Sequence, residues 1–175
     1  MANIVPEKNI NFSVYLDGED LLGVAEATIP NLESMTETVK GAGIAGEFDS
    51  IVLGHFGSLT LSLNWRNVTD HAIKVLAPKA HNLDLYGALQ DYDAGSGTYV
   101  VRQIHLYVKA VPKGLDLGKL SVGEEGDTAS EFEVHYLLVE RDGTKRIELD
   151  KFNYIFIVDG TDYLAAVRKA LGKEG

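Results

Sequence analysis

The feature that most constrains the fold is an alternation of apolar and polar residues with a period of two, which recurs in long runs. The clearest run is 58–65, where apolar residues at 59, 61, 63 and 65 alternate with polar residues at 58, 60, 62 and 64. Further runs cover 98–111 and 131–140. A period of two places alternate side chains on opposite faces of a strand, so each run predicts a β-strand with one buried and one wet face.

The side chains within these runs divide into a core face and a wet face. The predicted core face holds Ile104, Leu106, Val108 and Ala110 in the second run and Phe132, Val134, Tyr136 and Leu138 in the third. The phase then changes, since apolar residues are odd-numbered at 147 and 149 but even-numbered at 152, 154 and 156. One extra residue near Asp150 and Lys151 would account for this change, which predicts a β-bulge there.

Short stretches containing glycine separate the runs and predict hairpin turns. Asp-Gly pairs lie at 17–18 and 142–143, and the sequence AGSG occupies 94–97. The favoured two-residue turns need positive φ at their central residues, which Gly and Asp tolerate. Strands joined by such tight turns run antiparallel, so the sheet is predicted to be antiparallel.

Two segments have helical instead of alternating spacing. One is 70–77, with Thr69 as its N-cap, and the other is 162–171, with Thr161 as its N-cap and Gly172 as its stop signal. Many strands with one inserted helix and one C-terminal helix predict a mainly β, sandwich- or barrel-like fold. No linker composition interrupts the chain, so 1–175 is predicted to be a single domain whose tail, 172–175, is expected to fray.

Two connecting segments are long for a compact β domain. The first, 41–57, is rich in glycine and carries apolar residues such as Ile44 and Phe48. Because it is too apolar to be left in water, we expect it either to rest against another chain or to fold back. The second, 112–128, is rich in Gly, Lys and Glu and is expected to be mobile.

Charge and composition exclude several classes of function. A formal net charge of -10 opposes binding of duplex DNA through its phosphates. The absence of cysteine excludes disulfides and thiolate zinc sites. The chain has neither a basic segment followed by a long apolar one nor an apolar run of about 18 residues. We therefore expect a protein made in the cytoplasm, with no signal peptide and no transmembrane segment.

Motifs that resemble ligand sites lack the context that their chemistry requires. The sequence GAGIAG at 41–46 matches the dinucleotide pattern, but no buried strand precedes it and no helical pattern follows it. The sequence DYDAG at 91–95 begins like a calcium loop, but its twelfth position is Arg102. No two histidines have zinc-ligand spacing, although His105 and His135 could meet across neighbouring strands. The sequence thus predicts no catalytic site, no cofactor and no metal.

Five segments, in this order along the chain, resemble the major tail tube family of contractile phages. The opening strand and turn are similar at NFSVYLDG (11–18), followed by ATIPNL (27–32), where a strand ends in Pro and Leu. A polar strand leading into a Gly-rich loop is similar at MTETVKGAGIAG (35–46). The ending is the most specific part: ELD (148–150) precedes an aromatic-rich strand, and DGTDYL (159–164) begins a short closing helix.

This resemblance implies a structural protein and not an enzyme. Members of the family form hexameric rings that stack into a rigid hollow tube inside a contractile sheath, with baseplate and tail-end proteins as further partners. The tube pierces the target envelope, and in a phage DNA passes through it without specific binding. The same fold serves in tail-like bacteriocin particles, in type VI secretion and in related injection systems, which remain the alternative. A closed monomeric barrel that binds a small apolar ligand is a third hypothesis.

The resemblance also implies which residues meet other subunits. The residues assigned to the ring or stacking contact are Gly41, Gly43, Ile44, Gly46, Phe48, Ile51, Val52 and Phe56. Two acids on a predicted strand, Glu131 and Glu133, are the candidates for a lumen-facing surface that repels phosphate.

Overall fold

The structure, a computed structural model, describes residues 3–21 and 23–173. These residues form a mainly antiparallel β fold with two short helices, as the sequence predicts. The strands are β1 (Ile4–Leu16), β2 (Glu19–Asp20), β3 (Val24–Thr28), β4 (Ser34–Lys40), β5 (Glu47–Phe56), β6 (Thr60–Trp65), β7 (His81–Asp93), β8 (Thr98–Asp116), β9 (Thr128–Arg141), β10 (Thr144–Asp150), β11 (Ile155–Val158) and β12 (Thr161–Asp162). The helices are α1 (Asp70–Lys74) and α2 (Ala165–Ala170).

The main sheet divides at β9, which pairs with different strands along its two halves. Its path runs β12-β11-β10-β9-β8-β7-β1-β2, while β6 pairs with the first half of β9 and β3 pairs with β6. Residues of β1, β7 and β6 share one buried cluster although β6 does not pair with β1 or β7. The two branches therefore face each other across the core, which gives the sandwich-like architecture.

The core confirms the alternation of the clearest run. Leu61, Leu63 and Trp65 are buried on β6, while the polar residues between them are partly exposed. The indole N–H of Trp65 donates to the hydroxyl of Ser130 at 3.0 Å, so this buried polar group is paired. Helix α1 begins at the predicted cap, because the Thr69 hydroxyl accepts from the Ala72 amide.

The segment 41–57, predicted to be a long loop, is mostly strand. Only 41–46 and Gly57 are irregular or turn, and β5 occupies Glu47–Phe56. β4 and β5 form a separate two-stranded sheet, and within the described residues they pair only with each other. The prediction failed because β5 carries apolar residues on both faces, which removes the alternation that marks a half-buried strand.

The predicted bulge near Asp150 and Lys151 is wrong, because the chain reverses there. β10 pairs antiparallel with β11 through a turn at 151–154, and Tyr154 has a φ of 52°. A β-bulge occurs instead at His135, where Lys109 pairs with Tyr136 and the next residue of β8, Ala110, pairs with Val134. This bulge moves Tyr136 and Leu138 off the predicted core face, and Leu137 is buried in their place.

The C-terminal helix is shorter than predicted, and its predicted cap is wrong. Thr161 and Asp162 form β12, and α2 begins at Ala165 without a side-chain cap. Gly172 ends the helix with a φ of 68°, as predicted. Of the tail expected to fray, Glu174 and Gly175 lie outside the described residues. The predicted loop 112–128 is shorter, since β8 continues to Asp116.

Candidate functional site

The hairpin formed by β4 and β5, which we call the assembly hairpin (residues 34–56), exposes apolar side chains on both faces. Phe48 and Ile51 are 52% and 58% exposed, and Val52 and Leu53 are also exposed. The pairing of β5 with β4 is regular over 47–51, where alternation places Phe48 and Ile51 on opposite faces. Apolar surface concentrated on a ribbon that the rest of the domain leaves open is typical of a contact with another chain.

The tip of the assembly hairpin is built from three of the glycines singled out in the sequence. Gly41, Gly43 and Gly46 have φ values of 141°, 87° and 122°, a region that other residues rarely adopt. Ile44 lies among them and is exposed. The structure thus brings seven of the eight candidate interface residues into one hairpin surface, whereas Phe56 lies at the base with its ring centroid 5.0 Å from that of Phe156.

The base of the assembly hairpin is held against the C-terminal part of the chain. Gly54 lies against the buried side chain of Leu164, and His55 meets Tyr154 with ring centroids 6.3 Å apart. A cleft of about 230 Å³ separates the two parts. Its lining residues are Gly54, His55, Phe56, Leu149, Asp150, Lys151, Tyr154 and Leu164.

The two candidate lumen acids lie in different environments on β9. Glu131 is exposed, whereas Glu133 is partly buried and accepts from the Ser58 hydroxyl and from the Leu59 amide at 3.3 Å. Burial by itself would raise the pKa of Glu133. The hydrogen bonds from Ser58 and Leu59, together with the Lys151 ammonium, outweigh burial and hold that pKa below its ordinary value. The negative charge of Glu133 is therefore engaged within the domain.

The outer face of the main sheet carries a charged cluster that the sequence did not predict. His105 on β8 lies between Asp84 on β7 and Glu140 on β9, with nitrogen–oxygen distances of 2.7 and 3.0 Å. The Tyr86 ring stacks on the imidazole with centroids 4.2 Å apart. His105 thus meets two carboxylates instead of His135. The only signal in the sequence was its position on the wet face of the second run.

One edge of the main sheet is long and open. β1 extends over Ile4–Leu16 but pairs with β2 only through Tyr15 and Leu16. In the described part of the chain, no strand covers the outer side of residues 4–13. Ile10 and Phe12 on this edge are exposed. An uncovered strand of this length presents free amide and carbonyl groups to a strand of another molecule.

Within residues 3–21 and 23–173, the His, Asp and Glu side chains form no group of three that could hold a metal ion. Neither described helix has the length and apolar character needed to cross a bilayer.

The fold and its exposed surfaces define a structural β protein with two surfaces suited to contacts between chains, an open strand edge and an apolar hairpin. The chain belongs to the family described as Phage tail tube protein FII, which matches residues 6–172. It is 26% identical over 175 residues to the tail tube protein of Escherichia phage P2, covering 96% of this chain and 98% of that relative.

A solved structure shares the fold at low sequence identity. The sheath/tube terminator of an extracellular contractile injection system in its extended state superposes with a TM-score of 0.52 and 13% identity, over 75% of this chain and 94% of that chain. The family match over residues 6–172 confirms the family that the sequence resembles. The chain is a structural tail tube protein, and its place is in a virion tail or tail-like particle.

Proposed function

We propose that this chain forms hexameric rings that stack into the rigid inner tube of a contractile tail. The open edge of β1 supports ring formation, because a neighbouring subunit's strand would satisfy the uncovered backbone groups of residues 4–13. The assembly hairpin supports stacking, because contact with the next ring would bury apolar side chains on both of its faces.

The proposal includes the partners that the family resemblance implies. The sheath surrounds the tube, baseplate and tail-end proteins close its ends, and the tube acts as conduit and piercing shaft without catalysing a reaction. Assembly takes place in the bacterial cytoplasm.

When DNA is the cargo, an acidic lumen lets it slide because like charges repel. Glu131, which is exposed on β9, is the better of the two lumen candidates, since Glu133 is already paired with lysines.

The observation that carries the proposal is the uncovered β1 edge, and its test is assembly of the purified protein. Negative-stain microscopy should show rings and hollow tubes for the wild-type chain. Ile10→Lys places a charge on the exposed edge and should leave a folded subunit that forms no rings. A wild-type chain that sediments as a monomer at high concentration would refute the proposal.

Glu131→Gln tests the lumen assignment separately. In a DNA-carrying particle, the tube should still assemble, and DNA transit should slow because one acid per subunit no longer repels phosphate. Unchanged transit would count against a lumen position for Glu131.

A further inference from the structure

The two ends of the assembly hairpin enter the domain side by side. The Gly57 amide donates to the Glu33 carbonyl at 3.1 Å, which closes the hairpin at its base. The Gly57 carbonyl in turn accepts from the Lys151 ammonium at 2.8 Å. Lys151 belongs to the turn between β10 and β11, so a side chain from the C-terminal part of the chain holds the point where the hairpin ends.

Lys151 also contacts the carboxylate of Glu133, which binds Ser58 and Leu59, the two residues after Gly57. Its ammonium lies 3.5 Å from Glu133 Oε1. The same carboxylate accepts from the Ser58 hydroxyl and from the Leu59 amide. Two charged groups therefore hold the linker between β5 and β6. The Lys151 ammonium binds the Gly57 carbonyl, and the Glu133 carboxylate binds the Leu59 amide.

This charged arrangement is anchored to the sheet and not only to the linker. Glu133 lies on β9 opposite Thr60 of β6, and Lys113 of β8 lies 3.8 Å from the carboxylate while donating to the Thr60 hydroxyl at 3.0 Å. The Lys151 amide also donates to the His135 carbonyl at 3.2 Å. Both charged residues are thus fixed to the core strands before they meet the linker.

An isolated two-stranded hairpin has little stability or fixed direction of its own. The apolar contacts at its base, Gly54 against Leu164 and Phe56 against Phe156, hold one side of β5. The polar contacts of Lys151 and Glu133 hold the linker immediately beyond it. Together these contacts lie on both sides of the point where the ribbon joins the domain.

We propose that Lys151 and Glu133 are positioning residues for tube stacking, which set the direction of the assembly hairpin by bracketing the linker 57–59. The inference rests on the proposed function, in which the hairpin contacts the next ring. It assigns to Glu133 a role inside the subunit, in place of the lumen role expected from the sequence.

Lys151→Met tests the proposal, because Met keeps much of the aliphatic stem but removes the ammonium. In the dissociated full-length subunit, amide exchange across 34–56 should become about tenfold faster, while exchange in β7 and β8 stays unchanged. Stacked tubes should decrease in the same variant. Lys151→Arg, which keeps the charge and the donors, should restore both properties.

The matched control removes a cation from a neighbouring ion pair that does not touch the hairpin. Arg146 on β10 lies 2.8 Å from Asp159, the residue that follows β11, and both side chains are exposed. Arg146→Met should leave both hairpin exchange and tube yield at wild-type levels. Glu133→Gln serves as a second variant if Lys151→Met does not fold, with the same expected faster exchange.

The readouts separate this inference from the proposed function. Unchanged exchange in 34–56 for Lys151→Met and Glu133→Gln would overturn the positioning role, whatever happens to the tubes. Faster exchange with normal tubes would also overturn it, because stacking would not depend on hairpin direction. Normal stacking after replacement of the exposed apolar residues of the assembly hairpin would instead refute the stacking role that the proposed function gives to this hairpin.

Discussion

Gly54 on β5 lies directly against Leu164, and the contact leaves no room for a side chain at position 54. A Cβ built on Gly54 would be 2.5 Å from Leu164 Cδ2, and Leu164 is buried. Gly54 also has a φ of +66°, where residues other than glycine are strained. The contact joins the assembly hairpin to the segment before α2, two parts of the chain that are far apart in sequence.

Gly54→Ala is expected to destabilise the protein by about 2 kcal/mol or more, because positive φ costs about 1–2 kcal/mol and overpacking about 1–3 kcal/mol. Urea unfolding measures the change. Gly57→Ala is the control, since position 57 has neither positive φ nor a heavy atom within 4 Å of the added Cβ. Equal unfolding midpoints for Gly54→Ala and the wild type would contradict the close contact.

Replacing Phe48 and Ile51 by serine should abolish stacking while the subunit stays folded. Both side chains are more than half exposed, so their loss should change the free energy of unfolding by no more than about 0.5 kcal/mol each. Microscopy should show single rings instead of tubes. Ile73→Ser, a change at a comparably exposed residue on α1, is the control and should still give tubes. Stacked tubes from the double variant would show that the hairpin is not the stacking contact.

Ser130→Ala should leave the buried Trp65 indole N–H without its partner and destabilise the protein by about 1–3 kcal/mol. The chain contains one tryptophan, so its fluorescence reports on this site directly during urea unfolding. The expected result is a lower unfolding midpoint with an unchanged slope. A variant as stable as the wild type would mean that the hydrogen bond contributes nothing to the fold.

His105 should make stability depend on pH. Carboxylates of Asp84 and Glu140 only accept hydrogen bonds, so both ring nitrogens must carry protons to pair with them. Burial would lower the pKa of His105, but these hydrogen bonds and charges outweigh it and raise that pKa. A raised folded pKa means that the stabilisation is complete below the unfolded value of about 6.5 and is lost as pH rises through the folded pKa.

The measurement is the difference in free energy of unfolding between the wild type and His105→Gln, followed from about pH 6 to pH 9. That difference should shrink as pH rises, because only the wild type loses a proton at this site. The triple change to His105→Gln, Asp84→Asn and Glu140→Gln removes the whole charged cluster and should show a flatter pH profile than the wild type. A difference that stays constant with pH would rule out a protonated imidazole.

The regular strands could be predicted because their information is local. The alternation in 58–65 needs only neighbouring residues, and Asp142 with Gly143 adopts positive φ as a hairpin turn of that composition requires. The local rule failed for β5, which carries apolar residues on both faces. Several of these side chains stay exposed in the described domain, so burial within the single chain does not produce an alternating pattern there.

The remaining features depend on which strands become neighbours. Sequence order did not indicate that Gly54 would meet Leu164, that Glu133 would hold the linker after β5, or that Asp84 and Glu140 would flank His105. The bulge at His135 likewise follows from the register of β9 against β8.

By itself the sequence determined the β class, most turns, the first helix and the family. Tertiary structure decided the division of the sheet and the anchoring of the hairpin, because those rest on pairing between distant segments.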